Sequence, residues 1–253
     1  MIVLPESGWL PSGIAGVTAN LPESKKVQWE AQAGKLAFKY MRAEFHLAEI
    51  RRCYQVAISE HSAHISQLTE RDNVCSSYNG AQADSIFFHL EAFLEAARAA
   101  HDSTLASLHS AKVLLQDPGI SLSQYCKKPV PESAPAIDGI LRTFWSSCGE
   151  RTKAYRDSLV HYASLSGLVY QTAINMQLEN GSWQIRLFLP DNPESNSYGA
   201  FTFNKRIEAV ALCDKILSET RTLLAGVLNA CLAKWGAEPS PASFTIKGVV
   251  IGE

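Results

Sequence analysis

IEAVALCDKILSETRTLLAGVLNACLAKW, residues 207–235, decides the fold class. Its apolar residues Ile207, Val210, Cys213, Leu217, Leu224, Val227, Cys231 and Trp235 recur at three- and four-residue steps, the period of one helix face. Gly236 follows, a natural stop. The same period marks three earlier stretches. Pro22 suits a first helical turn. From there Trp29, Ala33, Leu36, Tyr40, Leu47, Ile50, Tyr54 and Ala57 keep the spacing toward about Glu70. Arg71-Asp72-Asn73 and Asn79-Gly80 then interrupt it. Ile86, Leu90, Phe93, Leu94, Ala97, His101, Leu105 and Leu108 mark a second helix, ending near Asp117-Pro118-Gly119. A loop rich in proline spans 118–136. A third helix starts near Ala136 and carries Leu141, Phe144, Trp145, Cys148, Thr152, Tyr155, Leu159 and Tyr162, with Gly167 as its terminator.

Between the third and last helices the period drops to two. Thr172, Ile174, Met176 and Leu178 alternate with small or polar residues, as do Trp183, Ile185, Leu187 and Leu189. Asn180-Gly181 separates them, and both residues accept the positive φ of a type I′ turn. Tyr198–Phe203 offers a third strand, and Ser243 to Ile251 a short C-terminal one. A lone hairpin is marginal and must pack on the helices. Helices with apolar stripes bury them against one another. The expectation is a mainly α fold, a four-to-five-helix bundle with a β-hairpin inserted before the last long helix. Residues 1–21, with Pro5, Gly8, Pro11, Gly13 and Gly16, read as an irregular arm. Residues 22–236 form the bundle with a β insertion at about 168–203, and 237–253 a tail.

Composition bounds the rest. At 253 residues with 46% hydrophobic residues, the chain can fill a sizeable core. A net charge of -2 gives no overall field toward nucleic acid, so any such contact must be a local basic patch. The six cysteines are scattered without a C-x-x-C pair, and they read as reduced thiols. Leu223 to Ala233, the most apolar run, is about half of the ~20 residues a bilayer span needs. Met1-Ile2-Val3-Leu4-Pro5 lacks the basic start of a secretory signal. A cytoplasmic protein without a membrane partner is expected.

Most chemistries have no signature here. No glutamate is followed by histidine three residues on, and H-E-x-x-H, G-x-G-x-x-G, the Walker A pattern and G-x-S-x-G are all missing. His61 and His64, beside Glu60, offer two imidazoles without a third ligand, which reads as a solvated face. His89 and His101 sit on or near a buried stripe, and His46 and His109 carry no signal. No metal or cofactor is implied.

One segment stands out: Lys153-Ala154-Tyr155-Arg156-Asp157-Ser158-Leu159-Val160-His161-Tyr162, late in the third helix. It resembles the signature of the HEPN superfamily, an arginine, a polar residue directly after it, and a histidine beyond a short gap. An aromatic before the arginine and an aliphatic pair before the histidine also fit. The likeness covers about ten residues as sequence and residues 22–235 as architecture. It implies a metal-independent ribonuclease acting as a homodimer, in which the ribose 2′-OH attacks the adjacent phosphorus and leaves a cyclic phosphate. It also implies a toxin or phage-defence setting, with RNA as substrate and an antitoxin or other protein as partner.

The residue types suit that chemistry. His161 titrates near neutrality and can act as general base or acid. Arg156 can grip phosphorane oxygens through two N–H groups. Asp157, four residues before His161, shares its helix face and can fix its tautomer. Yet five residues at about 100° each leave Arg156 and His161 roughly 140° apart. Convergence needs a helix distortion or a partner chain. Arg142, Arg151, Lys153 and Arg156, with Lys127 and Lys128, could form a phosphate-binding patch. The plainer alternative is ordinary surface charge with His161 near a helix C-terminus, in a non-catalytic module for protein interaction or ligand sensing, with Trp183 on its contact surface.

Overall fold

The computed structural model describes residues 8–65, 75–78, 81–115, 118–129, 135–161, 174–179, 182–195 and 200–235. Of 62–65, 75–78, 159–161 and 177–179 it describes the backbone alone. The fold is mainly α: α1 (Trp9–Asn20), α2 (Glu23–Ile65), α3 (Gln82–Ser110), α4 (Leu122–Cys126), α5 (Pro135–Phe144), a π-helical turn (Trp145–Gly149), α6 (Glu150–His161) and α7 (Ala209–Lys234). Strands β1 (Cys75–Tyr78), β2 (Ile174–Glu179), β3 (Ser182–Arg186), β4 (Phe188–Leu189) and β5 (Ile207–Glu208) make two small sheets. The hairpin β2–β3 thus stands before the last long helix. Among the described residues no helix is long and apolar enough to cross a membrane.

The described residues fall into two compact units, and α2, α3 and α7 each contribute to both. One unit takes residues up to Met41, Ala99–Glu150 and the chain from Ser218. Its core holds Leu10, Val17, Trp29, Leu36, Tyr40, Leu105, Leu108, Leu141, Phe144 and Leu224. Three of its polar side chains find partners within it, which offsets the cost of taking them from water. The Trp29 indole N–H donates to Thr18 Oγ1 at 3.1 Å, and that of Trp235 to the Ala111 carbonyl at 2.9 Å. His101, fully buried, lies 2.8 Å from Thr220 Oγ1 and edge-on to Phe144.

The second unit takes Arg42–Arg98 and Arg151–Leu217. Leu47, Ile50, Ala57, Ile86, Leu90, Phe93, Ile174, Met176, Ile185 and Cys213 fill its core. The central strand β2 pairs antiparallel with both β1 (Ser77 opposite Asn175) and β3 (Glu179 opposite Ser182). The third strand is therefore β1, not the one expected at Tyr198–Phe203. Cys75–Tyr78 carries no apolar alternation, so only its pairing with β2 reveals it. Residues 201–203 are irregular, and Asp191 and Asn192 take both backbone groups of Thr202. Asn192 accepts from Thr202 N–H at 2.9 Å and donates to the Ala200 carbonyl at 2.8 Å, while Asp191 N–H donates to the Thr202 carbonyl at 2.7 Å.

A second correction concerns the irregular arm expected over residues 1–21, since Trp9–Asn20 is a helix. Pro11 sits in its first turn, where a missing N–H breaks no helical bond. Leu10, Gly13 and Val17 form its buried line. The proline-rich loop likewise holds the short α4, capped by Ser121 Oγ accepting from Gln124 N–H. Ile207, expected in the last helix, pairs instead with Leu189 in the strand before it. The Asn180-Gly181 turn, the end of the first long helix beyond Ile65, Gly167 and the C-terminal strand at Ser243 to Ile251 lie outside the described residues.

Cys53, Cys148, Cys213 and Cys231 are buried free thiols, and Cys126 is partly exposed. Burial raises the pKa of Cys53, drives that of Cys213 well above its usual value, and pushes Cys231 up to about 12.

The π turn between α5 and α6 is fixed by Gly149. Glu150 N–H donates to the Trp145 carbonyl, five residues back. A Cβ on Gly149 would lie 2.8 Å from Trp145 Cε3 and 3.2 Å from Phe144 Cε1. Gly16 in α1, by contrast, has nothing within 4 Å of such an atom. Alanine favours a helix over glycine by about 1 kcal/mol, while overpacking costs about 1–3 kcal/mol. Urea unfolding should therefore show Gly149→Ala destabilised and Gly16→Ala stabilised; equal gains in both would refute a steric need for glycine at 149.

Candidate functional site

α6 buries Thr152, Tyr155 and Ser158 and leaves Lys153, Arg156 and Asp157 half-exposed. The buried side is anchored by Tyr155, whose hydroxyl donates to the Pro190 carbonyl at 2.7 Å. Arg156 Nη1 lies 3.1 Å from Asp157 Oδ1, and Lys153 pairs with Asp157 Oδ2. Burial works against the Asp157 charge. Hydrogen bonds from Lys153 and Arg156, with their charges, outweigh it and hold this carboxyl below its usual range. Each Asp157 oxygen thus already accepts from a cation. The backbone is regular α-helix from Glu150 to His161, and the distortion lies upstream at Trp145–Gly149. Arg156 and His161 therefore keep the angular separation of a straight helix. The His161 side chain lies outside the described residues.

The remaining cations of the expected patch are engaged separately. Arg142 donates to Asp138 at 2.8 Å and to the carbonyls of Cys126 and Lys128 at 2.6 and 2.7 Å. It clamps the end of α4 to α5. Arg151 stands 3.5 Å from the Tyr155 hydroxyl, its guanidinium over that ring. Lys127 and Lys128 are exposed. Arg142, Lys127 and Lys128 belong to one unit, and Arg151, Lys153 and Arg156 to the other. Among the described residues, no three His, Cys, Asp or Glu side chains gather as a metal-binding group. His61 is partly exposed on α2, and the His64 side chain is outside the described residues.

The structure brings together two histidines that spacing could not connect. His46 on α2 and His89 on α3 place their Nδ1 atoms 3.0 Å apart. Arg42 Nε lies 3.4 Å from His46 Nε2, donating to it. Neutral His46 then carries its proton on Nδ1 and gives it to Nδ1 of His89, whose own proton sits on Nε2. Phe45 stands edge-on to both rings. Burial first, then His89 and Arg42, lower the His46 pKa to about 4, while Glu49 opposes them. The pair lies 43 residues apart in sequence, and no local period signals it.

No family model matches the chain, and neither a curated protein nor a solved structure matches it.

The His46 shift has a defined sign. Its folded pKa lies below that of the unfolded chain, so its contribution to stability is full above about pH 6.5 and fades as pH falls toward about 4. Ring titration by NMR should give a His46 midpoint near 4. His89→Phe should raise it by removing one of the influences that lower it. A wild-type midpoint at the ordinary histidine value would refute the pairing.

Proposed function

We propose that this chain is a cytoplasmic, metal-independent endoribonuclease of the HEPN type, active as a homodimer, with Arg156 and His161 as its catalytic groups. The reading rests on the Arg156-Asp157-x3-His161 motif. It is supported by the course of that motif along one uninterrupted helix of a mainly α chain, with Arg156 half-exposed. The ribose 2′-OH attacks the adjacent phosphorus, the bond to the 5′-oxygen breaks, and a 2′,3′-cyclic phosphate remains. His161 takes the 2′-OH proton or returns one to the leaving oxygen. Arg156 balances charge on the phosphorane oxygens. Because the helix is straight between them, the two groups act on one phosphate only when two copies of the motif meet. A toxin or phage-defence role, opposed by an antitoxin, belongs to the same reading.

The pairing of Asp157 with both Lys153 and Arg156 favours a second reading. In it the trio is a surface ion cluster worth no more than about 1 kcal/mol, and the chain is a non-catalytic module for protein interaction or ligand sensing.

RNA cleavage by purified protein in EDTA separates the two. Under the first reading wild type yields cyclic-phosphate ends, His161→Ala slows cleavage by about 10²–10⁴-fold, and Arg156→Ala by a comparable factor. A folded, dimeric wild type that leaves RNA intact favours the second.

A further inference from the structure

α2 carries a second apolar line besides the buried one. Val27, Ala31, Gly34, Phe38 and Met41 follow steps of four and three along one face, and all five are exposed. Val27 is 79% exposed, Phe38 63% and Met41 38%. The buried line Trp29, Ala33, Leu36 and Tyr40 has the same spacing on the opposite side. Scattered exposed apolar residues are ordinary, but a continuous line at steps of four and three has the spacing by which two helices pair.

Gly34 gives independent support. It stands inside a 43-residue helix, where glycine lowers stability. Its φ is not positive, and a Cβ there would meet nothing within 4 Å. Nothing in the packing of the described residues asks for glycine at this place. It faces a groove of about 520 Å³ that Ala37 and the α1 residues Pro11, Ile14 and Ala15 also line. A seam position without a side chain lets a bulky residue of another helix approach.

Charge then selects the occupant. In parallel coiled coils the position just before a seam residue faces the position five further on in the other helix. Here those positions are Glu30 and Lys35, so two copies in register form two attractive pairs. Neither residue has an ion-pair partner among the described residues. The antiparallel arrangement that brings Phe38 over Gly34 would instead oppose Lys35 to Lys35.

We propose that α2 pairs in parallel with α2 of a second copy of this chain along Val27–Met41, Phe38 of each copy seating against Gly34 and Ala37 of the other. This interface stands on α2 alone and does not depend on RNA cleavage.

Sedimentation equilibrium over a dilution series tests it, with far-UV circular dichroism to check folding. Wild type should be a reversible dimer. Phe38→Glu should raise the dimer Kd by well over about tenfold with unchanged helicity. Gly34→Leu should fold at least as well, since its site is open, yet raise the dimer Kd by about tenfold or more. Glu30→Lys should weaken the dimer, and Glu30→Lys with Lys35→Glu should restore it. A wild type monomeric throughout, a dimer indifferent to Phe38→Glu and Gly34→Leu, or a charge swap without rescue would each overturn the proposal.

Discussion

Burial of one line of α2, from Trp29 through Leu36, Tyr40, Leu47 and Ile50 to Ala57, is the constraint on which the other elements depend. Each of these side chains is essentially removed from water. At about 25 cal/mol per Å² of apolar surface, large residues such as Trp29 and Tyr40 contribute most. Both compact units draw on this helix, Trp29 to Tyr40 in one and Leu47 to Ala57 in the other. Helix α1 closes over the first part through Trp29 and Tyr40, the latter meeting Trp9 edge-on at 6.0 Å. In the second unit Tyr54, on the same face, reaches Glu208 of β5 at 3.3 Å.

What the sequence made legible is the part governed by local period. Every described side chain of the stripes on α2 and α3 is buried, and β2 and β3 pair antiparallel with Glu179 opposite Ser182. What escaped depends on partners distant in the chain or on single contacts. Strand β1 exists only because β2 offers it a ladder. Counting its glycines and Pro11 as breakers hides α1, although a proline in the first turn breaks nothing and Gly13 lies on the buried line of the helix. The π turn hinges on one missing Cβ at Gly149, which periodicity cannot register.

The candidate site divides along the same line. Resemblance to the HEPN signature singles out Arg156, Asp157 and His161, helical spacing sets the angle between Arg156 and His161, and the regular backbone of α6 keeps that angle. Spacing could not tell that Asp157 is held between two cations, nor that Arg142, grouped with the basic residues by charge, ties α4 to α5 through two carbonyls. His46 carries no signal in the sequence and His89 reads only as a residue on or near a buried stripe, because a hydrogen bond between two helices leaves no trace in either one. The exposed line of α2 was legible in principle. It was masked by the stronger buried line that shares its period.

The buried thiols have a consequence of their own. Alkylating reagents attack thiolates; burial bars access to all four sulfurs and also raises the pKa of Cys53, Cys213 and Cys231. Labelling must then wait for the surrounding structure to open. Cys53 and Cys213 belong to one unit, Cys148 and Cys231 to the other. The natural chain thus contains two pairs of internal clocks: matched modification rates would mean that both units open in one cooperative event, and divergent rates that one opens while the other holds.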